Sequence, residues 1–357
     1  MNFQLKEKSY LFKMFVRLFL FSVVLVSSVS AAGNVCKTGN IVNRLVNSQP
    51  YYWPATWNET QTAPALEMGQ TCSWTVTIPQ GYYAKLIING KTQDSLSIFQ
   101  TIDATGNLMR TSQEGMQPYY FPPSKFSVTV SNQAAATFAF RIEWKLLPTL
   151  PTLYTQISAI AEVINATNKE YYIVYDSNSG VSLLPFPESI DNYYSLRSTL
   201  IFDGGSIQRG GNYVGNLFLI YQSGNQYITS NGFDSVVIVN LEASNNTDRL
   251  LIQESIYVKN LHYVELVPVL NSQYKATLNS QARTSALVST SSIKQTLIDI
   301  QMDDNANITV AYGTPDPLVY DKTFKGVEFK KILPIMYDIP VLTFVLDSGV
   351  AVFTFQA

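Results

Sequence analysis

Between residues 72 and 146 apolar and polar side chains alternate with a period of two. Trp74, Val76 and Ile78 alternate as far as Pro79-Gln80-Gly81, and Ala84, Leu86 and Ile88 as far as Asn89-Gly90. Leu96 and Ile98 share one face of a further run, and Phe126, Val128 and Val130 one face of another. Phe138, Phe140, Ile142 and Trp144 form a last run, interleaved with Ala139, Arg141 and Glu143. Successive side chains of a strand point to opposite sides, so each run predicts a strand with one buried and one wet face. The Pro-Gln-Gly and Asn-Gly breaks predict hairpin turns between them. Two antiparallel sheets set face to face would bury the apolar sides together.

Pro148-Thr149-Leu150-Pro151 interrupts this pattern and predicts a linker over 148–152. Beyond it Ile157, Ile160 and Ile164 stand at roughly helical spacing, which predicts one short helix. The remainder returns to strand-like runs with a faint repeat. KLIINGKTQDSLSIFQ from Lys85 compares with TLIFDGGSIQRGGNYVGNLFLIYQ from Thr199. KFSVTVSNQAAATFAF from Lys125 compares with SVVIVNLEAS from Ser235 and VLTFVLDSGVAVFTF from Val341. Such self-similarity predicts three diverged copies of one sandwich, over 33–147, 153–250 and 251–357. The rival organisation is one double-length second domain after the linker. Either way the fold class is all-β: tandem antiparallel β-sandwich modules with little helix.

Composition supports that class and narrows the function. In a chain of 357 residues, 46% are apolar and only 14% charged, which excludes disorder. Aromatics reach 13%, led by 22 tyrosines, and such residues fit pleated surfaces. The net charge of −2, without a lysine or arginine cluster, speaks against nucleic acid as a partner. Lys6, Lys8, Lys13 and Arg17 precede the apolar run Leu18 to Val26, and Val29-Ser30-Ala31 supplies a small-residue cleavage site. Residues 1–32 are accordingly predicted to be a signal peptide, too short in its apolar part for the roughly 20 residues that span a bilayer. No transmembrane segment is expected after cleavage. Asn58, Asn165, Asn245 and Asn307 each open an Asn-X-Thr acceptor triplet, which fits export and predicts N-glycosylation. Cys36 and Cys72 are the only cysteines. In an oxidising compartment they are expected to pair; the rival reading, two free thiols for metal or catalysis, lacks a nearby histidine or further cysteine.

Candidate chemistry is sparse. His262 is the only histidine, and it lies in the strand-like run NLHYVELVPVL with no nucleophile-elbow motif elsewhere. No catalytic residue is assigned, and no metal site or cofactor is expected. Asp299, Asp303 and Asp304 with Asn305 and Asn307 lack the spacing of a calcium loop and predict a solvated turn between Ile300 and Ile308. The glycines of Asp203 to Gly215 are followed by neither Gly-Lys-Ser/Thr nor a helix, and predict a long hairpin loop. Proline-framed aromatics, Tyr52, Trp53 and Trp57 in YYWPATW and Tyr119 and Tyr120 in PYYFPP, are the candidate ligand contacts. Stiffly held amphipathic rings make low-entropy surfaces for a protein or a sugar face. The competing use is to plug the ends of the core.

Several of these motifs fall in a recognisable order. Cys36 with Gly39-Asn40-Ile41, then Tyr52-Trp53-Pro54-Ala55, Cys72-x-Trp74 and Ile78-Pro79-x-Gly81-Tyr82-Tyr83-Ala84 resemble the start of a CUB domain, and more closely the CUB-like family of secreted nematode proteins. Pro122, Lys125 to Val130 with Asn132, and Phe138 to Trp144 resemble its closing strands. The resemblance runs from Cys36 to Leu147. It implies a jelly-roll-like sandwich in which the two cysteines bridge the first strands and the tryptophan packs on the bridge. It also implies a non-enzymatic secreted protein, often associated with the innate immune response to microbes and in some cases found with detergent-resistant membrane rafts; the partner expected for it is an extracellular protein or glycan, such as a microbial one. The alternative is a structural matrix or surface-coat protein without a defence role. Many CUB domains hold calcium with one Glu and two Asp. Asp94 falls at one of these positions, Asn132 replaces the second aspartate, and no glutamate stands near Asn89, so tight binding of a hard divalent ion is not expected.

Overall fold

A computed structural model describes residues 33–44, 49–157, 160–191, 193–204, 207, 212–229, 235–316 and 321–357. The expected signal peptide, 1–32, and most of the glycine-rich loop, 205–206 and 208–211, lie outside the described residues.

The first 146 residues supply β1 (Asn40–Val42), β2 (Tyr51–Trp53), β3 (Ala65–Leu66), β4 (Gln70–Thr77), β5 (Tyr82–Thr92), β6 (Ile98–Ile102), β7 (Leu108–Thr111), β8 (Gln113–Phe121), β9 (Lys125–Asn132) and β10 (Ala136–Leu146). They form one sheet in the order β1-β4-β9-β6-β7 and a second in the order β2-β10-β5-β8, with the two-residue β3 also paired to β10. The inward rows, Trp74 and Val76, Leu86 and Ile88, Val128 and Val130, Phe138 and Phe140, make one core between them. A disulfide joins Cys36 to Cys72 across a Cα separation of 5.7 Å and ties the chain ahead of β1 to β4. Cys36 donates its backbone N–H to Gln70 Oε1 at 2.8 Å.

The next stretch supplies β11 (Leu153–Gln156), β12 (Glu162–Asn165), β13 (Tyr171–Asp176), β14 (Val181–Phe186), β15 (Thr199–Asp203), β16 (Asn212–Asn216), β17 (Tyr227–Ile228), β18 (Ser235–Asn240) and β19 (Arg249–Glu254). Their orders are β11-β13-β18-β15-β16 and β12-β19-β14-β17. The last supplies β20 (His262–Glu265), β21 (Gln273–Asn279), β22 (Ser285–Ser289), β23 (Gln295–Gln301), β24 (Asn307–Ala311), β25 (Asp321–Lys325), β26 (Ile335–Tyr337), β27 (Leu342–Leu346) and β28 (Val350–Gln356), ordered β20-β22-β27-β24-β25 and β21-β28-β23-β26. With β3 set aside, strand for strand, the three units have one topology. In each, the first strand runs parallel to the third, and the other pairings are antiparallel. The helices α1 (Leu217–Ser223) and α2 (Gly326–Lys331) both follow the sixth strand of their unit. α1 is started by the Asn216 side chain, which accepts from Leu219 N–H, and stopped by Gly224 at φ 64°.

The units stack back to back. Outward residues of the second sheet, Tyr83 and Tyr120, with the nearby Leu147, pack against the outward face of β13, β15 and β18, namely Tyr172, Val174, Leu200, Phe202, Val237 and Val239. Outward residues of β14 and β19, Leu184, Phe186 and Leu251, pack in the same way against Val288, Val341 and Tyr263 of the third unit. The middle unit is therefore covered on both sides, which is why β13, β14, β15 and β18 are almost wholly buried while β4, β5 and β21 alternate.

Several sequence expectations need correction. β4 and β5 are not a hairpin: the chain at Pro79-Gln80-Gly81 crosses from one sheet to the other, so their apolar faces meet across the core. Asn89-Gly90 is no turn either; β5 runs on to Thr92. Gly90 is there because a Cβ would stand 2.5 Å from the Thr137 carbonyl oxygen of β10. In β6 the buried face belongs to Phe99 and Thr101, leaving Ile98 half-buried and Leu96 exposed. Of the short helix expected over Ile157, Ile160 and Ile164, residues 158–159 lie outside the described residues, and Ile164 lies in β12, drawn into strand by pairing with β19. Lys85 and Thr199 sit in the fourth and fifth strands of their units, so the repeat drawn between them was out of register, whereas Lys125, Ser235 and the run from Val341 open or adjoin the eighth strand in all three. The break placed after residue 250 falls inside β19.

Candidate functional site

The junction of the first two units gathers several polar contacts between them. Pro118 and Pro122 bracket Tyr119-Tyr120-Phe121, and the strand period sends Tyr120 outward and its neighbours inward. Tyr119 and Phe121 enter the main core, with Phe121 stacked on Phe126 at 4.1 Å. Tyr120 joins the apolar layer between units and donates its hydroxyl to Glu242. The same carboxylate accepts from Lys85 Nζ at 2.7 and 2.6 Å. Burial alone would raise the Glu242 carboxyl; the hydrogen bonds from Lys85 and Tyr120 and the Lys85 charge reverse that and hold it below its ordinary value. Burial and then the Glu242 charge push the Tyr83 phenol up to about 12.

A second bond between the units is wholly interior. Arg197, in the 3₁₀ turn Tyr194–Ser198, reaches Glu114 of β8 with Nη2 at 3.2 Å from Oε1, and both side chains are 3% exposed. Tyr119 donates its hydroxyl to Glu114, and its ring lies under the guanidinium at 3.7 Å, with Tyr194 at 4.6 Å and Phe218 at 4.7 Å. Asn107 adds a hydrogen bond to the Val214 carbonyl at 3.0 Å. Elsewhere the junction leaves a cleft of about 620 Å3, walled by Pro122, Pro123, Leu147 and Phe202 and rimmed by Gln80, Thr105 and Tyr213. The Tyr213 phenol is pushed well up by burial and then by the Asp103 carboxylate, so it stays a neutral donor. Cavities of roughly 300–1,000 Å3 with apolar walls and a few polar groups suit small ligands or the tip of a larger one.

The aromatic candidates divide accordingly. Tyr119 and Tyr120 are buried in the junction, and Trp57 is buried with Ala63 and Ala139 against the outer side of β10. Trp53 is half-buried on Trp74, Phe138 and Phe140, and Tyr52 packs edge-on against Trp57 and donates to Glu59. These rings fill space between protein layers. Of the acceptor triplets, Asn58, Asn245 and Asn307 are exposed. Asn165 is half-buried, and its Thr167 hydroxyl is buried and donates to Asp248 at 2.6 Å. Asp94 accepts from Leu96 N–H, Ser97 N–H and the Ser97 hydroxyl, which lowers its carboxyl through the Ser97 bond first; Asn132 donates to the carbonyls of Glu67 and Ala134. Among the described residues no group of three His, Cys, Asp or Glu is placed to hold a metal ion. His262 opens β20 with Nδ1 2.8 Å from Arg283 Nη2, and burial and then that charge lower its pKa. Asp303 turns the chain by accepting from Asn305 N–H. Among the described residues no helix is long and apolar enough to cross a membrane.

Sequence reasoning missed Glu114, Arg197, Lys85 and Glu242. The one local signal is that Arg197 stands just before the apolar run Thr199–Asp203 with no acidic residue within four positions, so its partner had to be distant.

No curated protein matches the chain. Among solved structures, the CUB1-EGF-CUB2 domain of human MASP-1/3 is similar over 53% of this chain and 94% of its own, at 11% identity and a TM-score of 0.22. The triple jelly roll of an archaeal virus turret covers 82% of each chain at 10% identity and 0.21. The extracellular region of zebrafish Gpr126/Adgrg6 is matched over 91% of this chain and 52% of its own, at 10% and 0.22. The sequence profile of the CUB-like domain matches residues 31–148, which encloses β1 to β10 and the disulfide. Over its first sandwich, then, the chain matches the CUB-like domain.

Proposed function

We propose that this protein is an exported, non-enzymatic binding protein whose ligand seat is the cleft between its first two sandwiches, and that it serves in defence against microbes. CUB-like domains are generally extracellular binding modules, which supports the first part. The motifs from Cys36 to Trp144 that resemble secreted defence proteins support the second. The observation that carries the seat is the 620 Å3 cleft itself, walled by residues of both units, which the Glu114–Arg197 and Lys85–Glu242 bonds join elsewhere along the junction.

The test is capture of intact bacteria and of a glycan and peptide array by purified protein and by Gln80→Trp, which fills the cleft mouth from an exposed position. Loss of capture at an unchanged melting temperature supports the seat, and equal capture removes it. Following transcript and protein after bacterial challenge separates defence from a constitutive matrix role: a flat response favours the matrix.

A further inference from the structure

Beside the cleft, a smaller recess of about 280 Å3 opens between β8, the 3₁₀ turn before β15 and the loop after β18. Gln117, Tyr194, Ser195, Glu242, Ser244 and Asn246 line it, together with the ring of Tyr120. Its chemistry differs from that of the cleft. The one carboxylate, Glu242, is already neutralised by Lys85 and bonded by Tyr120, so no unpaired charge is left to hold an ion. The hydroxyls are fixed rather than free. Ser195 donates to Asp248 at 2.6 Å and accepts from Asn246 Nδ2 at 2.9 Å, and Ser244 donates to Thr167 at 3.0 Å. Ser244 also accepts from Asn246 N–H at 3.2 Å, so each hydroxyl oxygen keeps one lone pair for an incoming O–H. Gln117 is exposed and supplies a carboxamide that both donates and accepts. Tyrosine rings beside fixed acceptors and an amide, with no net charge, complement a ligand that has an apolar C–H face and a rim of hydroxyls.

A second observation points the same way. Asn245, exposed and heading the triplet Asn245-Asn246-Thr247, lies between two residues that line the recess. A glycan rooted there begins at the rim. We infer that the recess seats a neutral pyranose ring, either an inner residue of a glycan on Asn245 or the terminal residue of a separate saccharide.

The experiment uses full-length protein secreted from a host that adds N-glycans, as wild type, Asn245→Gln, Gln117→Ala and Gln117→Trp. Two quantities are read: the rate at which an endoglycosidase trims Asn245 relative to Asn58 and Asn307 on the native protein, and binding of free N-acetylglucosamine, mannose and galactose by saturation-transfer NMR. If the chain's own glycan is the occupant, Asn245 is trimmed about tenfold more slowly than the other two. The Gln117 variants abolish that protection, and free sugar binds only to Asn245→Gln. If the occupant is separate, wild type binds free sugar, and Gln117→Ala weakens it about tenfold, the loss of one good hydrogen bond. Equal trimming at the three sites together with no sugar bound by wild type or Asn245→Gln overturns the inference. So do protection and binding that persist unchanged in Gln117→Trp, because Gln117 is exposed and its replacement leaves the fold intact.

Discussion

Arg197→Met tests whether the first two sandwiches are one mechanical body. The guanidinium lies 3.2 Å from Glu114 and 3.7 Å from the Tyr119 ring, and both charged side chains are 3% exposed. Removing it strands the Glu114 carboxylate in the interior with only the Tyr119 hydroxyl as donor. An uncompensated buried charge costs about 3–5 kcal/mol, and loss of stacking on Tyr119 adds about 1 kcal/mol. A domain of ordinary stability, about 5–15 kcal/mol, would feel that as a large fraction of its total. Glu114→Gln alone strands the guanidinium instead, whereas the double variant strands neither. The two single losses should therefore exceed the double loss by about 2–3 kcal/mol. Equilibrium denaturation in urea gives the four free energies, and limited proteolysis within 148–152 reports separation of the units. A loss under about 1 kcal/mol for Arg197→Met, or singles that add within about 0.5 kcal/mol, would refute the buried-clamp account.

Three further outcomes are expected. Cys36→Ser with Cys72→Ser opens a loop of 36 residues and should cost about 3–4 kcal/mol in denaturant unfolding, matched by wild type under reductant. Gly90→Ala drives a methyl against the Thr137 carbonyl and should lower stability by roughly 1–3 kcal/mol, whereas Ala at the open, exposed Gly115 position should not. Asp321→Asn addresses pH: burial, then the Asp316 charge, raise the Asp321 carboxyl to about 6. Its native pKa lies above its unfolded value, so its stabilising effect is full below about pH 4 and lost as pH rises through 6. The variant should therefore melt higher than wild type at pH 7 and equal it at pH 4.

What the sequence made legible was local. Period-two runs such as Trp74-Thr75-Val76 and Phe138-Ala139-Phe140 named the strands because alternation follows from strand geometry. Which strands pair is non-local, so Pro79-Gln80-Gly81 read as a hairpin although the chain changes sheets there. Asn89-Gly90 carried the turn signature for a different reason, the approach of β10, which only the partner strand reveals. The junction was least legible of all. Glu114 and Arg197 are 83 residues apart, and neither stands in a motif. Tyr119 and Tyr120 were expected as ligand contacts and are buried in the junction, because a proline-framed pair of rings looks the same in sequence whether it faces solvent or another sandwich.

The position of each unit in the stack is nonetheless written in its strands. Tyr171 to Tyr175 and Val236 to Val239 are apolar without interruption because both sides of their sheet are covered, one by the inner core and one by the first unit. At the outer faces β4, β9 and β21 alternate and carry polar outward rows, Thr71, Ser73, Thr75 and Thr77 beside Ser127, Thr129 and Ser131 at one end and Gln273, Lys275, Thr277 and Asn279 at the other, interspersed on other strands of the same sheets with exposed Ile41, Ile102 and Met336. Hydroxyls and amides in these rows keep their water, so these strands alternate where those of the middle unit do not. The junction of the first two units is where apolar walls, paired charges and unfilled volume come together, and the ligand seat proposed above draws on that pattern.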